Sequence, residues 1–126
     1  MKESKKDILD KIAKQSKKDT KFESLILNRA LQRLDNDENF DVVDKFVYTA
    51  DHKRLVYILG DDETVTIEEG VEVIGEMAAT KKRNLKMLNF PSTLRKIEKD
   101  AFTDCDRLTQ LSIPASVEEI EAYAFG

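Results

Sequence analysis

Side chains able to do chemistry are few and scattered in this chain of 126 residues, which has one cysteine, Cys105, and one histidine, His52. A thiol becomes a nucleophile only when a neighbouring base or positive field removes its proton. His52 lies in the polar run ADHKR, far from Cys105, with no partner Cys, His or positioned acid in sight. It is expected to be an exposed turn residue without chemistry. A lone cysteine makes no intramolecular disulfide and no multi-cysteine metal site. The run DNDENFD, residues 35 to 41, invites a calcium reading that fails on spacing. A twelve-residue loop beginning at Asp35 needs Gly at its sixth position and Glu at its twelfth, and has Phe40 and Phe46 there. The acid pairs Glu68/Glu69 and Glu118/Glu119 fall at positions expected to be exposed. There is no Gly-rich phosphate loop, no GxSxG and no His/Cys cluster. The expectation is a non-catalytic protein with no cofactor and no metal.

The elements around these residues carry more information. Ser4 with Asp7, and Thr20 with Glu23, place a capping side chain and an acid three residues on, which predicts two helices. Ile8, Leu9, Ile12 and Ala13 form a narrow apolar stripe on the first. Phe22, Ile26, Leu27, Ala30, Leu31 and Leu34 form a broader one on the second. DNDENFD is expected to be a polar linker after them. FVYT at 46 to 49 and LVYIL at 55 to 59 predict a β-hairpin with His52 in its turn.

Charge divides the chain. Residues 1 to 21 hold eight Lys against four acids, and the remainder holds 13 basic and 21 acidic side chains, for a net charge of −4. Intervening acids dilute the cationic segment, and no aromatic residue precedes Phe22 to stack a base or anchor in lipid. Binding of nucleic acid or an anionic membrane by these helices, with the rest as scaffold, is therefore the alternative reading, tied to Lys5, Lys6, Lys17 and Lys18. No stretch approaches the ~18 apolar residues of a membrane span, and the opening lacks the apolar core of a secretory signal.

From residue 64 onward the chain repeats itself. Residues 88 to 102 read LNFPSTLRKIEKDAF and residues 111 to 125 read LSIPASVEEIEAYAF. Val65, Leu88 and Leu111 align at a spacing of 23, as do Ile67, Phe90 and Ile113; Val71, Leu94 and Val117; Ile74, Ile97 and Ile120; and Ala78, Ala101 and Ala124. A fixed period between 20 and 50 signals stacked coils that bury apolar residues only against their neighbours. Leu111 and Ile113, two apart, face one side of a short strand that Pro114 ends, as Pro91 does in the preceding row. Val117 and Ile120 point inward on the return path, and Phe102 or Phe125 fills the middle. The same register stacks Glu72, Arg95 and Glu118, pairs Lys81 with Asp104 and Arg83 with Asp106, and sets Glu98 unfavourably above Glu121.

The pattern LxIPxxVxxIxxxAFxxC, seen in these two stretches and in the TDC that ends at Cys105, resembles the BspA-type leucine-rich repeat over residues 64 to 126. The resemblance implies an α/β repeat protein: a right-handed solenoid of 23-residue coils with one parallel strand per coil. The family occurs largely in adhesive or binding proteins, many at microbial surfaces, so a cell-surface or secreted origin is implied if this chain is part of a longer one. Cys105 at the pattern's Cys position is implied to be a small buried filler. The first row departs from the pattern at Glu68 for Pro, Ala79 for Phe and Lys82 for Cys, as an end coil does. The expected organisation is a two-helix segment at 1–40, a β-hairpin at 41–63, and about two and a half coils at 64–126. The N-terminal parts act as a cap, and the last row breaks off before an equivalent of Cys105.

The expected function is a protein-interaction or adhesion module for a protein ligand. Its candidate binding face is the outward side of the strands: Thr64, Thr66, Met87, Asn89, Gln110 and Ser112. Three coils span only ~14 Å at strand spacing, narrow for a standard interface of about 800 Å² per side. Self-association through the open last coil is a further expectation, because uncovered apolar edges seek partners.

Overall fold

The computed structural model describes residues 4–13, 20–32, 34 and 39–126. Helix α1 (Lys5–Ala13) starts as its spacing predicts. The Asp7 N–H donates to Ser4 Oγ and the Ser4 N–H to Asp7 Oδ2, both at 3.2 Å, satisfying two groups that a helix start leaves over. Helix α2 (Thr20–Gln32) follows. The side chains of Ile12, Ala13, Thr20, Phe22 and Glu23 lie outside the described set, as do Lys17, Lys18 and residues 35–38. Ile8 of α1 and Ile26, Leu27, Ala30 and Leu31 of α2 are buried against Phe40, Val47, Val56, Tyr57 and Leu59. Burial of each such aliphatic side chain stabilises the fold by about 1.5–3 kcal/mol.

The expected hairpin is present as β2 (Phe46–Thr49) and β3 (Arg54–Ile58), but it has a third member, β1 (Phe40–Val43), pairing with β2. Part of the expected linker is therefore strand. Phe40 anchors it by complete burial, and Asp44, at φ 58°, turns the chain tightly into β2. Strands β2 and β3 are covered on both faces, which explains their continuous apolar runs. Val47, Val56 and Tyr57 meet the helices, while Phe46, Tyr48, Leu55 and Ile58 join the core of the coils.

The coils stack in the expected register. Strands β4 (Thr64–Thr66), β6 (Met87–Asn89) and β8 (Gln110–Leu111) pair in parallel, with Val65 opposite Leu88 and Leu88 opposite Leu111. Each coil carries two short strands rather than the expected one, because the return path forms a second parallel set: β5 (Val73–Ile74), β7 (Lys96–Ile97) and β9 (Glu119–Ile120). This set continues the hairpin, because β5 pairs in parallel with β3, giving one six-stranded sheet in the order β1-β2-β3-β5-β7-β9.

Between the sheets lie Val65, Ile74, Leu85, Leu88, Leu94, Ile97 and Ala101, all buried. Phe102, 1% exposed, occupies the centre, edge-on to Phe90 at 6.0 Å and stacked on Phe125 at 5.3 Å. Ile120 keeps its register but is 46% exposed, because β9 is the outermost strand of its sheet among the described residues. Ile97→Ala is expected to cost about 2–5 kcal/mol and Ile120→Ala about 1 kcal/mol or less. Urea denaturation of the two variants checks the contrast.

Candidate functional site

The strand positions place the six predicted face residues on one surface. Thr64 lies opposite Met87 and Met87 opposite Gln110; Thr66 lies opposite Asn89, with Ser112 the corresponding residue beyond β8. Five of the six are exposed and Met87 is half-buried. Alternation explains the arrangement, since Val65 and Leu88 between them point into the core. The Asn89 side-chain amide donates to Thr66 Oγ1 at 3.0 Å, tying the first two coils together across the face. Between β6 and β8 runs an open groove of about 500 Å³, lined by Met87, Asn89, Thr109, Gln110 and Ser112, with Phe90 at its edge. Thr109 was not among the predicted residues. The register could have found it, because it follows Glu63 and Lys86 at the same spacing, and those two form an exposed ion pair at 3.5 Å. The groove is uncharged, mixing hydroxyls and carboxamides with the apolar Met87, Leu88, Phe90 and Leu111.

The return-path sheet is its electrostatic opposite. Glu72, Arg95, Lys96, Glu118 and Glu119 line a groove of about 470 Å³ there. Arg95 reaches Glu118 at 3.2 Å, and Lys96 reaches Glu119 and Glu121 at 3.7 and 3.6 Å. Arg83 and Asp106 pair at 2.9 Å elsewhere on the coils. Such exposed pairs contribute about 0–1 kcal/mol each.

The expected clash of Glu98 with Glu121 is resolved by the backbone. Each carboxylate accepts an N–H from the preceding coil, Glu98 from Glu76 at 3.1 Å and Glu121 from Lys99 at 3.0 Å. Glu98 also holds Arg54 of β3 through two hydrogen bonds, at 2.6 and 3.2 Å. Burial works against the Glu98 carboxylate, yet the guanidinium and the Glu76 N–H outweigh it and hold its pKa below the ordinary glutamate value. Gly75 occupies the matching position of the first coil. A Cβ there would stand 3.0 Å from the Leu55 carbonyl oxygen, so any other residue would push β3 back by a few tenths of an ångström.

The candidate reactive residues are engaged structurally. Cys105 is half-buried, its Sγ donates to the Ala79 carbonyl at 3.1 Å, and burial pushes its thiol pKa up, away from thiolate chemistry. His52 departs from expectation. It is only partly exposed, with Nδ1 3.0 Å from Glu68 Oε2 and Nε2 2.6 Å from Asp41 Oδ2. With both nitrogens occupied, it has no site to act as a base towards a substrate. Lys5 of α1 donates to the Leu34 carbonyl at 2.6 Å, so one of the four lysines of the alternative reading is used within the fold. Among the described residues no His, Cys, Asp and Glu group is arranged to hold a metal ion, and no helix is long and apolar enough to cross a membrane.

Two parallel strand ladders sharing one core, built from rows repeated along the chain, define a repeat solenoid. A family model described as the BspA type leucine rich repeat region (6 copies) matches residues 61–126, just over half of the chain, and the chain belongs to that family. No curated protein matches it. Among solved structures, the pneumococcal vaccine antigen PcpA is similar at 27% identity with a TM-score of 0.60, over 67% of this chain and 21% of that one. This chain thus spans about a fifth of the antigen's length. A leucine-rich repeat protein from Eubacterium ventriosum is similar at 15% identity with a TM-score of 0.30, over 73% and 50% of the two chains.

Glu98→Gln is expected to lower stability at neutral pH by about 1.5–3 kcal/mol, the worth of charge-assisted hydrogen bonds. Because the folded pKa of Glu98 is depressed, its contribution is present above the ordinary value of 4.5 and is lost as pH falls through the folded value. Urea denaturation at neutral and acidic pH should therefore show wild type and variant converging in acid.

Proposed function

We propose that this chain is a non-catalytic protein-interaction or adhesion module whose ligand is a protein, and that it binds through the outward face of β4, β6 and β8. The observation that carries this reading is the neutral groove between β6 and β8, bordered by Met87, Asn89, Gln110 and Ser112. Its hydroxyls and carboxamides can hydrogen-bond an incoming surface at little desolvation cost compared with charges. Membership of the leucine-rich repeat family supports the same role. The reading takes residues 64–126 as a right-handed solenoid of 23-residue coils, residues 41–63 as the hairpin leading into it, and residues 1–40 as a helical segment closing its first end. Thr64 and Thr66 extend the face towards that closed end. Labelled protein applied to intact cells tests the face: Asn89→Arg/Gln110→Arg should reduce binding at least about tenfold, the effect of ~1.4 kcal/mol. Glu119→Arg, on the other sheet, should leave binding unchanged. Equal binding by all three proteins overturns the reading.

A second reading, self-association through the last coil, is favoured by Ile113, Ile120, Tyr123 and Phe125, which are 40%, 46%, 70% and 38% exposed. Large apolar groups gathered at one end mark an interaction site. Light scattering across a concentration series should show mass growing for the wild type and not for Ile113→Glu/Tyr123→Glu. A constant monomer mass for the wild type overturns this reading.

A further inference from the structure

His52 holds the turn between β2 and β3 at φ 60°, a left-handed position that non-glycine residues adopt sparingly. Its ring stacks on Tyr48 at 4.5 Å between centroids. Three segments distant in sequence meet there: Asp41 from β1, His52 from the turn, and Glu68 from the first coil just beyond β4. A neutral imidazole has one N–H and one lone pair, so it can donate to only one of two carboxylates. With an acid oxygen 3.0 Å from Nδ1 and another 2.6 Å from Nε2, both contacts are hydrogen bonds only when the ring is an imidazolium. The remaining groups facing it do not supply that proton's counter-charge. Tyr48 is neutral, its phenol pKa pushed up by burial and by Glu68. Asp51, in the same turn, is occupied by the Thr49 hydroxyl at 2.8 Å and the Lys53 N–H at 3.0 Å.

We propose that Asp41, His52 and Glu68 form a proton-dependent clasp that fastens the β1–β3 unit to the first coil while His52 is charged and loosens when it is neutral. Glu68 stands where the repeat pattern has proline, so the residue that departs from the pattern is the one that receives the histidine. The clasp adjoins the Lys53 carbonyl, which accepts the Glu72 and Val73 N–H groups at 2.8 and 3.0 Å where the hairpin joins the coil sheet.

The hydrogen bond to Glu68, then that to Asp41, raises the His52 pKa above its ordinary 6.5. Its contribution is thus complete below 6.5 and is lost as pH rises through the higher folded value. Asp41 sets the acid limit. The His52 hydrogen bond lowers its pKa, so its contribution is present above the ordinary 3.8 and disappears as pH falls through the folded value.

His52 is the only histidine, so its ring protons can be titrated by NMR in the intact chain without assignment ambiguity. The midpoint should lie above 6.5, and Glu68→Gln and Asp41→Asn should each move it down. In urea, the wild-type midpoint should fall as pH rises from about 6 to about 8, across histidine discharge. That of His52→Asn, whose side chain tolerates the left-handed turn, should stay level. A ring titrating at or below 6.5 in the wild type, or a midpoint unmoved by either acid substitution, overturns the clasp. So does a His52→Asn variant with the wild-type pH slope. If that variant does not fold, the titration and the two acid variants still decide.

Discussion

Parallel stacking at a spacing of 23 residues is the constraint on which the coils depend. It fixes Val65 over Leu88 over Leu111 on one sheet and Ile74 over Ile97 over Ile120 on the other, so the inward residues of adjacent coils pack on their own counterparts, with the hairpin covering the first coil and Ile120 of the last left 46% exposed. The turns obey the same rule. Met77, Asp100 and Tyr123 take φ of 65°, 60° and 62°, and Lys81 and Asp104 take 59° and 61°. None is glycine, so the left-handed conformation is imposed by the stack. The Ala79 and Lys81 N–H groups donate to the Ala101 and Thr103 carbonyls of the next coil at 2.8 and 2.7 Å, which fixes each turn to its neighbour. Side chains repeat the theme: Thr93 and Ser116 donate to the Val71 and Leu94 carbonyls at 2.8 and 2.6 Å.

The array meets a different structure at its first coil, and that coil's departures from the repeat pattern are where the two join. Glu68 receives His52. Lys82, buried in the pattern's cysteine position, donates to the Gly60 carbonyl at 2.5 Å and lies 5.0 Å over the Tyr57 ring. Ala79, in the position of phenylalanine, is fully buried beside the end of β3, whose Ile58 N–H donates to the Ala78 carbonyl at 2.9 Å. Gly75 admits the Leu55 carbonyl, and Arg54 crosses to Glu98 in the second coil. Substitutions that look like decay of the repeat are specific to a neighbour that is a hairpin instead of a coil.

The parts of this fold legible in the sequence were those with a period. Alternation gave β4, β6 and β8, the 23-residue rows gave their register, and the capping pair Ser4/Asp7 gave the start of α1. The return strands were hidden because two residues, such as Val73–Ile74, are too short to show alternation. β1 was hidden because its turn is Asp44–Lys45 rather than a glycine pair, and because acids surround Phe40. Partners distant in sequence and outside the period carried no local signal at all. His52 finds Asp41 and Glu68 at separations of 11 and 16, and Arg54 finds Glu98 at 44. The candidate face was legible as positions, whereas the groove on it also takes in Thr109, which the alternation of the strands did not single out.

The distribution of charge between the two sheets bears on which of them meets a partner. On the return sheet Arg95, Lys96, Glu118, Glu119 and Glu121 are already matched with one another, and a ligand there would have to break or desolvate those pairs. The β4-β6-β8 face carries its neutral groups outward, and the Asn89 side-chain bond to Thr66 joins the two coils nearest the hairpin. Gln110 and Ser112 in the third coil are exposed, and with Thr109 they line the groove. The face is thus braced between its first two coils, while exposed polar side chains run along its whole length from Thr64 to Ser112. A partner meeting this face would find hydroxyls and carboxamides to hydrogen-bond without first breaking ion pairs, whereas one meeting the return sheet would have to desolvate matched charges.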